Sequence, residues 1–375
     1  MGAAGGVPSA SVMELERPLF GQVVRQVVRL KTEQLEACLA IQRQAGGTIG
    51  LGQVMREQGL ITREQIMQVL QLQARWVATA MQEDVGAGLP RAMKLSLCLP
   101  AYNEAANIED TMDGACAMLP EFVRDFEIVV VDDGSRDATA EIVARYAERE
   151  PRVRLVSHGQ NRGYGAAVSS GLRAASGDLI MFTDADGQFS LLDLPTLLAE
   201  IDDADLVIGY RYRRADPRYR LLNAWAWNRL IRLVLGVKVR DLDCAFKLFR
   251  RDVVEQLQLT STGAGINAEI LVQCVRGGLR MTEVPVAHYP RSQGTPTGAA
   301  FRVILRAFRE LPRLWKYRFS PPLSLQRVRA AAETVSDVPS PLSQRPDPVP
   351  AVKTVSGYDL DLSGYGTGSK GWDAP

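Results

Sequence analysis

The chain has 375 residues, 46% hydrophobic and 23% charged, with a formal net charge of +1. That length suits about two ordinary domains. The near-zero net charge sets up no global field toward nucleic acid, so no nucleic-acid partner is expected and basic character has to be local. Five cysteines, none in a CxxC pair, argue against a disulfide framework or a zinc site and favour reduced thiols in a cytosol. The first residues lack a basic start followed by an apolar core, so no signal peptide is expected. No window approaches the roughly 18 uninterrupted apolar residues of a membrane-spanning helix.

Residues 1–18 are expected to be disordered. Residues 19–80 read as helices and hold an internal repeat. Gly21, Gln22, Val23, Arg25, Glu33, Gln34, Leu39 and Gln42 match Gly52, Gln53, Val54, Arg56, Glu64, Gln65, Leu70 and Gln73, and Leu30 and Leu35 correspond to Ile61 and Ile66. Each unit predicts a short helix, a turn and a longer helix, with Thr62 placed to cap the second long helix. Residues 81–92 then read as a linker. The repeat resembles the N-terminal module of type II secretion and pilus ATPases, which in some members binds cyclic di-GMP through two copies of one motif. The second copy, from Leu51-Gly52 through Gly59-Leu60-Ile61 to Gln73, follows that motif, but Gly50 stands at its leading arginine. In the first copy Leu19 replaces the arginine and Val28 the glycine. The lost guanidiniums are the natural partners of guanine edges and phosphates. Two readings therefore stand: a docking or dimerisation bundle, and a cyclic di-GMP sensor.

Residues 93–318 alternate strand and helix patterns. Strands are expected at Lys94–Leu99, Phe126–Val131, Val153–Val156, Leu179–Phe182 and Leu206–Ile208, with helices opening near Asn107, Asp137 (a cap) and Gly163. The alternation predicts an α/β domain with a mostly parallel sheet flanked by helices. Polar clusters fall where strands end, and in such sheets ligands bind outside those carboxyl ends. Asp184-Ala-Asp186, with Gln188 nearby, offers oxygen ligands for Mg²⁺ or Mn²⁺, which are held by one or two carboxylates plus phosphates. The ion would act as a Lewis acid on a departing diphosphate. Asp132-Asp133 suits a nucleobase or ribose hydroxyls, and Tyr102-Asn103-Glu104 suits the same nucleoside. Gly163-Tyr-Gly165 only mimics a dinucleotide fingerprint, since its sixth position is Val168. His158 and His288 have no partners at ligand spacing and read as structural.

Pro100-Ala-Tyr-Asn-Glu104, Val131-Asp-Asp-Gly-Ser135, Asn161-Arg-Gly-Tyr-Gly165 and Asp184-Ala-Asp-Gly-Gln188 together resemble the family 2 glycosyltransferases of GT-A fold, in particular the polyprenyl-phosphate (dolichyl-phosphate) mannose or glucose synthases. The resemblance implies a GT-A domain over residues 93–318, behind the small helical domain read from the repeat. It also implies an enzyme that moves a hexose from a nucleotide-sugar donor to a polyprenyl phosphate with inversion. Pro100, Tyr102, Glu104, Asp132, Asp133, Gly163 and Asp184 would bind the donor, and Asp184, Asp186 and Gln188 the metal. Ile208-Gly-Tyr-Arg211 is similar to the family's Gly-x-Arg, whose arginine faces the acceptor phosphate; Arg220 and Arg291 are further acceptor candidates. Asp241-Leu-Asp-Cys-Ala-Phe-Lys247 is similar to a later motif, with Ala245 for Gly. Near the closing motif, Thr295 and Pro296 stand where Ser and Lys are usual.

Catalysis is expected from Asp184, Asp186, Arg211 and Glu269. A lipid phosphate is already ionised and needs no general base; a hydroxyl acceptor would, with Glu269 or Asp241 as candidates. Arginines and aromatics from Arg211 to Arg232 suit an anionic lipid at a bilayer interface. The helical face of Phe301, Ile304, Leu305 and Phe308 suits peripheral contact with the cytoplasmic side of an inner membrane. The alternatives are transfer to a saccharide hydroxyl, or a cyclic di-GMP-responsive protein with an inactive transferase core. Residues 319–375 are proline-rich and polar and are expected to be disordered.

Overall fold

The computed structural model describes residues 20–45, 49–85, 93–212, 229, 231–289 and 315. The expectations for residues 1–18, for Arg220 and Arg291, for the helix around Phe301–Phe308 and for the tail from 319 lie outside the described residues, as does most of the arginine- and aromatic-rich segment after Tyr212.

Four helices come first: α1 (Phe20–Val27), α2 (Thr32–Gln44), α3 (Leu51–Glu57) and α4 (Arg63–Val85). They follow the short–long, short–long pattern of the repeat. Equivalent positions do equivalent work. Val23 and Val54, Val24 and Met55, and Cys38 and Val69 are all buried in one apolar cluster. The Gln34 side chain accepts from the Lys31 amide at 3.0 Å, and that of Gln65 from the Thr62 amide at 2.8 Å. Thr62 Oγ1 in turn accepts from the Gln65 amide at 3.3 Å, which completes a reciprocal cap. Helix α4 runs on to Val85, five residues into the segment read as linker. Its Ala74, Val77, Ala78 and Met81 are buried in the same apolar cluster as the first strands of the sheet. Burial of that face explains why the helix continues through the polar Gln82-Glu83-Asp84.

The sheet has seven strands among the described residues: β1 (Lys94–Ala101), β2 (Asp125–Asp132), β3 (Val153–Ser157), β4 (Leu179–Phe182), β5 (Leu206–Arg211), β6 (Lys247–Arg250) and β7 (Met281–Val286), in the order β3-β2-β1-β4-β6-β5-β7. All pairings are parallel except those of β6, which runs against both β4 and β5. This is the mostly parallel, helix-flanked sheet that the sequence implies. Helices α5 (Ile108–Phe122), α6 (Thr139–Arg149) and α7 (Tyr164–Ala174) connect β1 to β4, α8 (Leu194–Glu200) precedes β5, α9 (Arg251–Gln256) follows β6, and α10 (Ile266–Arg276) precedes β7.

Side-chain alternation divides the core into two layers. Leu95, Leu97 and Leu99 of β1 and Ile128 and Val130 of β2 pack with α4, α5 and α8. Cys98, Val129 and Val131 face the other way, onto α7 and α10. A strand buried on both faces needs apolar residues at every position, hence the unbroken Ile128–Val131 run.

Candidate active site

Parallel strands place the ends of β1, β2, β3, β4 and β5 on one edge of the sheet. Strand β6 is reversed, so its first residue, Lys247, reaches that same edge, paired with Phe182 and Ile208. The clusters that the sequence spreads over about 170 residues therefore share one rim.

The loops after β1 and β2 are bonded to each other. Pro100 and Ala101 close β1 beside Val131 and Asp132. Tyr102 follows, half-buried. Asn103 has φ 58°, a left-handed conformation that asparagine tolerates. Its amide donates to Ser135 Oγ at 2.9 Å, and its Oδ1 accepts from the Arg136 amide at 2.8 Å. Glu104 is buried; its amide donates to Thr139 Oγ1 at 2.9 Å and its carboxylate accepts from Asn107 Nδ2 at 2.7 Å.

The two adjacent aspartates have different surroundings. Asp132, 2% exposed, accepts from the Ser135 amide at 3.2 and 3.4 Å. Asp133 accepts from the Arg162 amide (2.9 Å), the Gly163 amide (2.8 Å) and His158 Nδ1 (2.7 Å), while His158 Nε2 lies 2.9 Å from Ser170 Oγ. Both Asp133 oxygens thus hold the loop that opens α7. His158 is structural, as expected, but it braces the site rather than filling core. Gly163 has φ 103°, and Gly134, at φ 70°, lies so close to the 160–161 backbone that an added Cβ would fall 2.3 Å from the Gln160 carbonyl carbon. Glycine is required at both positions.

Asp184 and Asp186 follow β4 in one turn. Tyr164 donates its hydroxyl to Asp184 at 3.0 Å, and Asp186 accepts from the Gln188 amide at 3.1 Å. Burial, then repulsion from Asp186, raises the Asp184 pKa; Tyr164, Arg211 and Lys247 pull against that rise. Burial and the neighbouring Asp184 push the Tyr164 phenol well up, so it stays a neutral donor. Gln188 turns its Nε2 to the Tyr289 carbonyl at 3.0 Å, and the Tyr289 amide returns a bond to the Gln188 carbonyl at 2.9 Å. Gln188 therefore ties the loop to the segment after β7. His288 sits beside this loop, in an isolated bridge with Phe189.

Arg211 closes β5. Its Nε and Nη2 meet Asp241 at 2.6 and 2.8 Å, a two-pronged pair that fixes the guanidinium plane. Burial lowers the Arg211 pKa and Asp241 more than restores it. Lys247 is fully buried, donating to the Leu242 and Cys244 carbonyls and to Asn267 Oδ1 at 2.8 Å. Burial pushes its pKa down against the pull of Cys244, Asp241 and Asp243. Glu269 is also fully buried, but its carboxylate accepts from the Thr260 amide, Thr260 Oγ1 and the Ser261 amide at 2.7–3.1 Å. A general base needs an oxygen directed at the acceptor. This carboxylate instead clamps the 260–263 loop, whose Thr262 carbonyl accepts from the Gly165 amide at 3.1 Å. Tyr164, His158, Lys247 and Asn267 were not among the expected site residues. The only sequence signal for Tyr164 was its place inside the Asn161–Gly165 motif.

The Asp184–Asp186 pair fits a hard divalent ion. Two carboxylates in one turn repel each other, and the nearby cations act on Asp184 through space while Asp241 holds Arg211 and carbonyls hold Lys247. No group of three His, Cys, Asp or Glu ligands forms among the described residues.

Residues 96–258 match the family model described as Glycosyl transferase family 2. The chain is 31% identical over 225 residues to the dodecaprenyl-phosphate galacturonate synthase of Rhizobium johnstonii, covering 57% of this chain and 65% of that protein. It is 31% identical over 217 residues to the undecaprenyl-phosphate 4-deoxy-4-formamido-L-arabinose transferase of Salmonella paratyphi A, covering 56% and 64%. The chain thus spans less than two thirds of the length of these curated relatives. The solved glucosyl-3-phosphoglycerate synthase of Mycobacterium tuberculosis, in complex with Mn²⁺ and UDP-glucose, aligns with a TM-score of 0.49 at 22% identity, covering 66% of this chain and 84% of that one.

Proposed function

We propose, on the premise that residues 96–258 form a glycosyl transferase family 2 domain, that the protein transfers a hexose from a nucleotide-diphosphate sugar to a polyprenyl phosphate, with inversion. The observation that carries this reading is the convergence of Asp132, Asp184, Asp186 and Arg211 on one sheet edge. Asp132 and the Tyr102–Glu104 loop receive the nucleoside. Asp184 and Asp186 would hold Mg²⁺ or Mn²⁺, which when bound supplies charge neutralisation to the leaving diphosphate. Tyr164, a neutral donor, orients Asp184. Arg211, its plane set by Asp241, presents fixed positive charge for the acceptor phosphate. An ionised phosphate attacks without a base, which agrees with a Glu269 whose oxygens are occupied by the Thr260–Ser261 loop.

The acceptor assignment follows the relatives, whose names specify dodecaprenyl and undecaprenyl phosphates. No helix of the described residues is long and apolar enough to cross a membrane. The reading places the protein on the cytoplasmic membrane face because the relatives' names specify lipid-carrier acceptors. Tyr212, just after β5, and Tyr289, three residues after β7, are 56% and 51% exposed and suit a bilayer interface. For the helical repeat we favour docking over cyclic di-GMP binding, since its second unit is engaged with the transferase domain through Arg56, Arg63 and Arg75. The reading is tested by incubating the full chain with Mn²⁺, labelled UDP-, GDP- or dTDP-hexose, and either undecaprenyl phosphate or soluble saccharides. Label in the lipid phase supports it; label only in saccharide, or none with any donor, rejects it.

A further inference from the structure

Helix α5 packs on β2 and on α6, whose Tyr146 and Arg149 bond Asp113 and Glu109, and it also stands between two further elements. On one side lie α4 and the end of α3, which carries Arg56. Arg63 reaches Glu109 at 3.1 Å, Asp110 at 3.4 Å and Asp113; Arg56 reaches Asp110 at 3.3 Å; Arg75 reaches Glu121 at 3.1 Å. Arg63 to Arg75 and Glu109 to Glu121 are equal steps along their helices, so α4 and α5 run parallel and in register over about 18 Å. Arg63 opens α4, where the helix dipole disfavours a cation; the three α5 carboxylates around it offset that cost. Leu70 of α4 lies against Gly114 of α5, where a side chain on Gly114 would meet it.

On the other side lies the metal loop. The Thr111 hydroxyl, on α5 between Asp110 and Asp113, lies 3.1 Å from the Ala185 carbonyl and 3.0 Å from that of Asn107. Ala185 is the residue between Asp184 and Asp186. Its side chain is 2% exposed and belongs to the apolar cluster that holds Met112 and Ala115 of α5 and Ala74, Val77, Ala78 and Met81 of α4. Helix α4 also packs on the 3₁₀ turn Leu191–Asp193 and on α8, just after the loop. The middle of the Asp-Ala-Asp turn is therefore held from below by α5, and α5 is held from outside by the helical repeat.

We infer that Thr111 is a positioning residue for the Asp184–Asp186 loop, and that the helical repeat, by fixing α5, sets how tightly that loop binds a divalent cation. The inference rests on the assignment of Asp184 and Asp186 as metal ligands. The Ala185 carbonyl lies between the two ligands, so a shift of that peptide moves both carboxylates. Loss of the anchor therefore weakens the metal site first, ahead of global stability.

The test uses the full chain and Mn²⁺, with free ion followed by electron paramagnetic resonance at saturating UDP and, separately, GDP. Asp184→Ala serves as the reference: if it binds Mn²⁺ like the parent with both nucleotides, the metal assignment itself fails. Thr111→Val removes the hydroxyl and keeps the shape; one lost hydrogen bond corresponds to Mn²⁺ binding about fivefold weaker. Thr111→Ser restores the hydroxyl and is expected to bind within twofold of the parent, which a merely structural role for the side chain would not produce. Arg63→Gln, distant from the metal and in the repeat, is expected to weaken Mn²⁺ in the same direction. With Asp184→Ala impaired, parental binding by Thr111→Val, or a Thr111→Ser as weak as Thr111→Val, overturns the role of Thr111. Parental binding by Arg63→Gln overturns the role of the repeat.

Discussion

Asp133→Asn changes one atom and isolates what the second aspartate of the pair contributes. In the native chain Oδ1 accepts from the Arg162 amide and from His158 Nδ1, and Oδ2 from the Gly163 amide. An asparagine offers one oxygen and one NH₂. With the nitrogen at the Oδ2 position, it faces the Gly163 N–H, donor against donor. With the nitrogen at the Oδ1 position it faces the Arg162 N–H, and His158 must change tautomer to accept from it. Either way one backbone N–H near Asp133, itself 2% exposed, loses its acceptor, at a cost of about 1–3 kcal/mol. The remaining bonds lose their ionic assistance, so a total near 3 kcal/mol is expected. For a domain of this size that corresponds to a fall in melting temperature of roughly 6–12 °C. The same change loosens the turn that carries Tyr164 toward Asp184, so nucleotide binding in the presence of Mn²⁺ falls as well. Differential scanning calorimetry and a nucleotide titration measure the two effects. A melting temperature within about 2 °C of the parent, with unchanged nucleotide affinity, refutes the assignment of Asp133 as the anchor of the α7 loop.

Two further outcomes follow from buried carboxylates. Burial alone would raise the Glu127 carboxyl, but hydrogen bonds from Ser176 and Ser96 and the charge of Arg154 outweigh it and hold its pKa at about 2. A depressed native pKa stabilises the fold above the unfolded value and loses that contribution as pH falls from about 4.5 to about 2, on the order of 2–3 kcal/mol in all. Glu127→Gln is thus expected to be less stable than the parent at neutral pH and to converge with it near pH 2 in urea unfolding; a gap independent of pH contradicts this. Glu269→Gln is expected to lower the melting temperature by several degrees, through its bonds to Thr260 and Ser261, yet to keep turnover within about tenfold. A loss of 10²-fold or more, typical of a removed general base, would restore Glu269 to a catalytic role.

Much of the architecture was legible because it rests on local pattern. Unbroken apolar runs such as Ile128–Val131 specify strands covered on both faces, and acidic or polar residues at their ends specify which rim carries the chemistry. The repeat was legible because Val23 and Val54, or Gln34 and Gln65, recur at a fixed offset and meet identical local needs. What was not legible depends on distant partners. Nothing in Lys247–Arg250 reveals that this strand inserts between β4 and β5 in reverse and so delivers Lys247 to the rim. The spelling Asp132-Asp133 cannot show that one carboxylate caps its own turn while the other is taken by amides about 30 residues away. Glu269 had the residue type of a base, but its partners are backbone groups chosen by the path of the 260–263 loop. Arg56 of α3 and Arg63 and Arg75 of α4 meet no local need that the sequence displays; the acidic face of α5 accounts for them.

The central claim is that Asp184 and Asp186 hold a divalent ion that lets a nucleoside diphosphate leave while a polyprenyl phosphate attacks. Mn²⁺-dependent transfer of labelled hexose to undecaprenyl phosphate, compared between the parent chain and Asp184→Ala, tests it most directly. The expected result is labelled lipid from the parent, abolished by EDTA and reduced at least 10³-fold in the variant. Equal yields of labelled lipid from both chains, or a parental yield indifferent to EDTA, would contradict it.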